Sequence, residues 1–386
     1  MTIPNRNFNY PTAVKFGAGR VKELAELCKA NRILRPLLVT DPGLAAMPML
    51  ATIVAEIKSA GLPVLVFSDV RPNPVEANIL AGVKAFKAGM HDGVIAFGGG
   101  SALDIGKMIA LMHGQSISVF DLEDIDDWWT RADASRIAPI IAVPTTAGTG
   151  SEVGRASVIT HPETHEKKII FHPAIMPKVA LLDPELTIGL PAKLTAATGM
   201  DALAHCLEAY CAPFYHPMAK GIALEGMSLV KDNLLKAVKK PDDLEARGNM
   251  LVASTMGATA FQRGLGAIHA LSHPLGGLYD AHHGLLNAIV MPYVLKANKK
   301  AIEKDIAKAA AYLGIKGGFD GFMKWILKLR KDLGIPNKLA DIGIDTKRLD
   351  EIAAMAVKDP SAGGNPIAFT QAQYKTLAKK CILGDL

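Results

Sequence analysis

The chain has 386 residues, of which 49% are hydrophobic and 21% are charged. This length suits two domains better than one, and this composition predicts a globular protein with a large core and excludes disorder. The formal net charge of +6 comes from lysines dispersed along helix-like sequence, which predicts solvated helix faces and no nucleic-acid partner.

Targeting signals are not evident in the sequence. No apolar stretch follows the basic residues of the first 20 positions, so we expect no signal peptide there. The longest apolar run, residues 284–295, contains Asn287 and Pro292 and is shorter than the ~20 residues of a membrane span. We therefore expect a cytoplasmic protein with no membrane partner. The cysteines form no CxxC pair and are predicted to be reduced, which argues against a zinc site built on thiolates.

The first half of the chain alternates apolar segments with helical ones. Strands are predicted at residues 36–40, 63–68, 93–97 and 137–143, and helices at residues 50–60 and 76–88. Strands that alternate with helices predict a parallel sheet covered on both faces, with the ligand beyond the carboxyl ends of the strands. We predict an α/β dinucleotide-binding domain over residues 1–190.

After Pro191 the pattern becomes helical. Segments such as KLTAATGMDALAHCLEAYC and RGNMLVASTMGATAF show little of the β-branched alternation that strands require. We therefore predict an all-helical second domain over residues 191–386, which would hold the metal and the substrate.

A glycine-rich turn follows the predicted strand at residues 93–97. Gly98, Gly99 and Gly100 let backbone N–H groups approach an anion, and Ser101 is placed to cap the helix that begins there. Asp104 lies in the first turn of that helix and is a candidate cofactor contact. A tight turn that needs positive φ explains the glycines equally well, and the motif is not the usual GxGxxG.

A second loop, Pro144-Thr-Thr-Ala-Gly-Thr-Gly-Ser-Glu152, follows the next predicted strand. Its hydroxyls and glycines suit a pyrophosphate, and two such loops on adjacent strands favour a dinucleotide site. Asp41, after the strand at residues 36–40, is placed to bind adenosine ribose hydroxyls, which predicts NAD over NADP. Asp-Pro-Gly is also ordinary turn chemistry, and spacing alone favours that interpretation.

Histidines and a carboxylate recur at helical spacing in the second half. Asp201 and His205 are four residues apart, as are His269 and His273, and His282 and His283 follow. A single buried histidine is usually a hydrogen-bonded core residue, but two such pairs and a third histidine site favour a metal centre. One carboxylate with imidazoles suits Fe²⁺ or Zn²⁺, and spacing selects neither the metal nor the ligating histidines.

Four segments together resemble the iron-containing (group III) alcohol dehydrogenase family: FGGGSALD, PTTAGTGSE, GMDALAH and HALSHPLGGLYDAHHG. The match runs from the opening FNYPTAVKFGAG to about Tyr293. The resemblance implies a dehydroquinate synthase-like architecture, with a parallel-sheet domain followed by a helical domain.

The resemblance also implies roles for individual residues. It implies that Asp201, His205, His269 and His283 are the metal ligands, and that His273 is an unligated proton donor or relay beside the nicotinamide. The implied metal is Fe²⁺, with Zn²⁺ as the alternative. The implied NAD contacts are Asp41, Asn73, Gly99, Gly100, Ser101, Asp104, Thr145, Thr146, Thr149 and Lys168.

The implied activity is reversible hydride transfer between a small primary alcohol or diol and NAD, which gives an aldehyde or ketone. Lactaldehyde reductase, glycerol or 1,3-propanediol dehydrogenase and maleylacetate reductase remain alternatives, because they are related enzymes that use a metal and NAD. A non-catalytic dinucleotide sensor is the alternative from a different class. The resemblance further suggests a homodimer or higher homo-oligomer.

Overall fold

The structure, a computed structural model, describes Tyr10 and residues 12–386. Residues 1–9 and 11, which include the start of the FNYPTAVKFGAG segment and much of the region with no expected signal peptide, lie outside the described residues. The described chain forms two compact units. We call residues 12–189 the sheet unit, and residues 190–386 together with Tyr10 the helical unit.

The sheet unit contains a parallel sheet of six strands in the order β1-β8-β5-β4-β2-β3. The strands are β1 (Ala13–Phe16), β2 (Pro36–Val39), β3 (Leu65–Phe67), β4 (Gly93–Gly98), β5 (Ile140–Pro144) and β8 (Val179–Leu182). Every residue of β2, β4, β5 and β8 is buried. Continuous apolar runs are typical of parallel strands covered on both faces.

Successive residues of a strand face opposite sides of the sheet. Val94 and Ala96 of β4 pack in one core, whereas Ile95 and Phe97 pack in a second core on the other face. Helices supply the rest of both cores. They are α1 (Leu24–Ala30), α2 (Pro42–Ala45), α3 (Pro48–Ser59), α4 (Glu76–Ala88) and α5 (Gly100–Met112).

The sequence analysis did not predict β1, β8 or a separate antiparallel hairpin. The hairpin consists of β6 (Ala156–Thr160) and β7 (Lys167–Phe171), with Val158 opposite Ile169. These strands have four or five residues each, about the length of β2 and β3, so length alone does not explain why they were missed.

The helical unit has no strand among its described residues. Its helices are α6 (Ala192–Cys211), α7 (Pro217–Lys239), α8 (Leu244–Ala260), α9 (Ala267–Tyr279), α10 (His283–Tyr312), α11 (Gly318–Asp332), α12 (Leu349–Lys358) and α13 (Gln371–Leu383). The predicted fold class, a parallel-sheet domain followed by a helical one, is confirmed. We find no helix in the described chain with the length and hydropathy that a membrane crossing requires.

Glycines set the distances between helices that carry the predicted metal ligands. A Cβ on Gly284 would lie 2.4 Å from the carbonyl oxygen of Ala197, so α10 begins directly against the backbone of α6. A Cβ on Gly199 would lie 2.2 Å from Cδ1 of Leu234, so the Leu234 side chain of α7 packs directly on α6. A Cβ on Gly284 would also lie 3.2 Å from Cβ of Asp201, so the start of α10, where His283 lies, is held close to Asp201.

Candidate metal centre and dinucleotide loops

The structure brings the four predicted metal ligands together. Asp201 and His205 lie one turn apart on α6, His269 lies on α9, and His283 is the first residue of α10. From Oδ1 of Asp201, the Nε2 atoms of His205, His269 and His283 are 4.0, 3.8 and 3.5 Å away. Ligand atoms of Asp201, His205 and His269 all lie within 4.8 Å of one another, which suits a single bound ion.

The protonation states of Asp201 and His269 favour metal binding. Burial alone would raise the pKa of Asp201, but His205, His283 and His269, with a hydrogen bond from Asn287, lower it to about 2. Burial lowers the pKa of His269 well below its ordinary value, so this imidazole is neutral. Metal ligands must be deprotonated, and a carboxylate with neutral imidazoles is a donor set that suits Fe²⁺ or Zn²⁺.

Glu208 supports His269 from the side opposite Asp201. Nδ1 of His269 donates to Oε2 of Glu208 at 2.6 Å, and the backbone N–H of Ile268 donates to Oε1 at 2.7 Å. Burial raises the pKa of Glu208 to about 7, an increase that the N–H groups of Ile268 and Gly266 oppose. A carboxylate that accepts the hydrogen bond from Nδ1–H keeps the ring proton on Nδ1 and leaves the Nε2 lone pair free for a metal.

Asn287 lies among the predicted ligands. Its Nδ2 is 2.7 Å from Oδ1 of Asp201 and 3.2 Å from the Nε2 atoms of both His269 and His283. Its Oδ1 is buried and has no hydrogen-bond partner among the described residues. An orphaned buried oxygen is rare, and this one belongs to a side chain that contacts three of the four predicted ligands.

His273 lies one turn after His269 on α9, and its Nδ1 is already engaged. It donates to Oδ2 of Asp359 at 2.7 Å, and its ring stacks on that of His283 with centroids 5.4 Å apart. Burial would raise the pKa of Asp359, but His273 and the N–H of Ser361 lower it, so the group is a carboxylate. This arrangement suits a proton relay beside the predicted ligands.

Of the two adjacent histidines, His283 is the one near the predicted ligands. Nδ1 of His282 accepts the backbone N–H of Leu285 and caps α10. His283 follows as the first helical residue, so its side chain projects from the start of α10 toward Asp201.

The two polar loops of the sheet unit lie against each other at the carboxyl ends of β4 and β5. A Cβ on Gly100 would lie 2.5 Å from Oγ1 of Thr149, and one on Gly99 would lie 3.5 Å from Thr146. Gly98 has a φ of +140°, a backbone conformation that favours glycine. The helix that follows has Gly99 at its N-cap with no side-chain cap, which leaves its first N–H groups free for an anion.

Ser101 does not cap α5 as the sequence had predicted. Gly99 is the N-cap, and Ser101 lies inside the first turn, where its hydroxyl donates to the carbonyl of Pro72 at 2.6 Å. Thr145, at the end of β5, is buried. The helix therefore begins two residues earlier than the capping pattern indicates.

Asp104 binds groups of its own unit. Oδ1 accepts the hydroxyl of Ser151 at 2.5 Å, Oδ2 accepts the N–H of Val158 at 3.0 Å, and Lys107 lies 3.3 Å from Oδ1. These contacts join α5 to the loop after β5 and to the hairpin. The cofactor contact of Asp104 stays a prediction beside this structural role.

The remaining predicted cofactor residues also have contacts within the sheet unit. Oδ1 of Asp41 accepts the N–H of Leu44 and caps α2, which is the turn that Asp-Pro-Gly predicts. Asn73 accepts a hydrogen bond from Lys167. Lys168 pairs with Glu166 at 3.0 Å and with Glu123 at 3.4 Å.

A parallel sheet with paired polar loops and a cluster of histidines around a carboxylate are the parts expected of a metal-dependent dehydrogenase. The model of iron-containing alcohol dehydrogenases matches residues 11–184, and the model of the C-terminal part of the Fe-containing alcohol dehydrogenase family matches residues 195–382. Both units of the chain are therefore covered by one family.

Individual proteins that are similar to the chain support the same family. The chain is 38% identical over 381 residues to the 4-hydroxybutyrate dehydrogenase of Cupriavidus necator, covering 96% of this chain and 98% of that protein. It is 34% identical over 377 residues to alcohol dehydrogenase 4 of Saccharomyces cerevisiae, covering 97% of each. The crystal structure of a 1,3-propanediol oxidoreductase superimposes with a TM-score of 0.92 at 35% identity, covering 98% of this chain and 100% of that one.

The chain belongs to the iron-containing alcohol dehydrogenase family. It is an oxidoreductase, an NAD-linked alcohol dehydrogenase, as its motifs predict.

Sequence reasoning missed Glu208, Asn287 and Asp359, although each contacts a predicted site residue. Glu208 lies three residues after His205, and Asn287 lies four residues after His283, so helical spacing could have indicated both. Asp359 has no such signal, because 86 residues separate it from His273.

Proposed function

We propose that this alcohol dehydrogenase binds Fe²⁺ through Asp201, His205, His269 and His283 and oxidises small primary alcohols or diols with NAD. The supporting observation is the convergence of three Nε2 atoms within 4.0 Å of one carboxylate oxygen. Zn²⁺ is the alternative ion, since the same donor set accepts it. The protein acts in the cytoplasm as a homodimer or a multiple of it.

The sheet unit binds the dinucleotide. The free N–H groups at the start of α5 take the pyrophosphate, together with Gly99, Gly100, Thr146 and Thr149. Gly100 lets the two loops pack together, because a Cβ there would lie 2.5 Å from Oγ1 of Thr149. The other proposed contacts are Asp41, Asn73, Ser101, Asp104, Thr145 and Lys168. Asp104 and Lys168 also shape the loops, since their charges pair with other groups of the chain.

When bound, the metal supplies a Lewis acid that favours ionisation of the alcohol, and NAD supplies the hydride acceptor. The chain's own residues hold the metal and move the proton. Glu208 fixes His269 with its Nε2 toward Asp201. His273, held by Asp359, accepts the proton released in oxidation and returns it in reduction.

The substrate class is small terminal alcohols. Relatives that bear the names 4-hydroxybutyrate dehydrogenase and 1,3-propanediol oxidoreductase support this class, because both substrates carry a primary hydroxyl on a short chain. Lactaldehyde reductase, glycerol dehydrogenase and maleylacetate reductase activities belong in the same substrate panel. A non-catalytic dinucleotide sensor is the remaining alternative.

The test measures NADH formation with ethanol, 1,3-propanediol, 4-hydroxybutyrate and glycerol. We expect chelator-treated protein to be inactive, and Fe²⁺ or Zn²⁺ to restore activity. His283→Asn should lose metal, whereas the neighbouring His282→Asn should keep it, because asparagine is also a good N-cap for α10. Full activity without metal contradicts the proposal, and NAD binding without turnover of any alcohol favours the sensor.

A further inference from the structure

Two histidines of α9 are held in the same way by two carboxylates from distant parts of the chain. Glu208 of α6 accepts Nδ1 of His269, and Asp359, which follows α12, accepts Nδ1 of His273. In each pair, the second carboxylate oxygen accepts a backbone N–H group: Ile268 donates to Glu208, and Ser361 donates to Asp359. Both carboxylates therefore use one oxygen for the backbone and the other for a ring.

We propose that Asp359 is a positioning residue that fixes the tautomer of His273, with the proton on Nδ1 and a free lone pair on Nε2. Its Oδ2 lies 2.7 Å from Nδ1, and its Oδ1 accepts the N–H of Ser361 at 2.8 Å. The two side chains are 9% and 6% exposed, so water does not compete for this bond. We find no hydrogen-bond partner for Nε2 of His273 in the part of the chain that the structure describes.

The free lone pair is what a proton acceptor requires. Oxidation of an alcohol breaks its C–H and O–H bonds, sends the hydride to NAD⁺ and releases the hydroxyl proton. A ring with its proton on Nδ1 takes up the released proton at Nε2, and a carboxylate at Nδ1 stabilises the cation that forms. The inference rests on the proposed function, because it assigns a partner to the proposed proton relay.

The hydrogen bond from Ser361 to Asp359 determines what Asp359→Asn would do to the ring of His273. The N–H of Ser361 is buried at the start of the helical turn Pro360–Gly364, so it must keep an acceptor. Asp359→Asn has only one acceptor oxygen, and this oxygen stays with Ser361. The amide nitrogen then faces Nδ1 of His273, which must become an acceptor, and the ring proton moves to Nε2.

The experiment uses zinc-loaded protein labelled with ¹⁵N-histidine. Two-bond ¹H–¹⁵N spectra report which ring nitrogen carries the proton, and the His273 signals are assigned by their loss in His273→Gln. We expect an unprotonated Nε2 in the wild type and a protonated Nε2 in Asp359→Asn. The matched control, Asp350→Asn, changes an exposed carboxylate of α12 that pairs with Lys375 and should keep the wild-type tautomer.

Kinetics provide the second readout. Asp359→Asn should lower kcat by about 10²-fold, the scale of one acid–base group, with the KM for NAD and the zinc content unchanged. The proposal is overturned by a wild-type ring with its proton on Nε2, by Asp359→Asn with the wild-type tautomer, or by a reversed tautomer with unchanged kcat. The first of these does not depend on Asp359→Asn, so a misfolded Asp359→Asn protein leaves the proposal testable. A protein that oxidises no alcohol would refute the proposed function, yet its tautomers could still be read.

Discussion

Nδ2 of Asn287 lies 2.7 Å from Oδ1 of Asp201, which makes the amide a neighbour of the only carboxylate among the four predicted ligands. One hydrogen bond to this oxygen orients the carboxylate while leaving it negatively charged. Asn287 therefore shapes the site without adding charge to it.

Asn287→Ala should weaken zinc binding by about 10- to 100-fold, the range typical of residues that orient metal ligands. Competition with a chromophoric chelator measures the affinity. Asn298→Ala is the matched control, because Asn298 is a buried amide of the same helix that bonds to Asn365. An equal loss of affinity in both variants would mean that α10 had simply been destabilised.

Glu208→Gln should also weaken zinc binding by about 10- to 100-fold. The N–H of Ile268 keeps the single amide oxygen, so the amide nitrogen faces Nδ1 of His269 and drives the ring proton to Nε2. Metal content after dialysis against a buffered zinc solution measures the effect. Glu225→Gln, an exposed residue bonded to Tyr312, should retain normal zinc, and zinc retained by Glu208→Gln would refute the argument.

Gly284→Ala should lower the free energy of unfolding by about 1–3 kcal/mol and reduce zinc binding. The new Cβ would lie 2.4 Å from a backbone oxygen of Ala197, so α10 and His283 must move away from α6. Gly221→Ala is the control in α7, where a Cβ meets nothing within 4 Å, and it should stabilise by about 0.5–1 kcal/mol. Urea unfolding of metal-free protein compares the two, and a neutral Gly284→Ala would contradict the close approach.

Gly100→Ala should weaken NAD binding by about tenfold or more, since each 1.4 kcal/mol of lost contact is a factor of 10. The added Cβ would lie 2.5 Å from Oγ1 of Thr149 and would displace the loop proposed to bind pyrophosphate. Quenching of protein fluorescence by NADH measures the affinity. Gly189→Ala, where nothing lies within 4 Å of the added Cβ, should bind normally. Unchanged affinity in Gly100→Ala would place the dinucleotide elsewhere.

The sheet unit should lose stability in mild acid through His113. Burial, with the nearby charge of Lys87, lowers the pKa of His113 in the folded state below its ordinary value of 6.5. The unfolded chain then binds more protons, so this contribution is full above about pH 6.5 and is lost as the pH falls through the folded pKa. His172, whose pKa burial also lowers, adds a term of the same sign.

His113→Gln should therefore lose less stability between pH 7 and pH 5 than the wild type. Urea unfolding across this range measures the difference. His165→Asn is the control, because His165 is exposed and asparagine tolerates its φ of +57°. A variant with the wild-type pH dependence would show that His113 does not contribute to it.

Prediction from sequence succeeded where a local pattern carried the information. The segment at residues 93–97 became β4 (Gly93–Gly98), and the helix at residues 76–88 matches α4 (Glu76–Ala88), because burial on both faces and helical periodicity are visible in short windows. The hairpin of β6 and β7 was missed, since its strands alternate only weakly and pair with each other outside the main sheet.

The same distinction between local patterns and distant contacts applies to the residues of the site. Helical spacing indicated a metal centre, and the family resemblance selected His283, which the structure places 3.5 Å from Asp201. Contacts such as that of Asp359 with His273 join elements far apart in the chain and leave no local pattern. The bonds of Asp104 to Ser151 and Val158 likewise join elements far apart in the chain, so spacing did not indicate them.

The length of chain between His273 and Asp359 has a consequence during synthesis. The ribosome adds the carboxylate 86 residues after the histidine that it holds, so a growing chain contains the predicted metal ligands well before the proposed relay acquires its partner. A nascent chain could therefore bind its metal ion first. The His273 ring would become ordered only later, when the final helices fold.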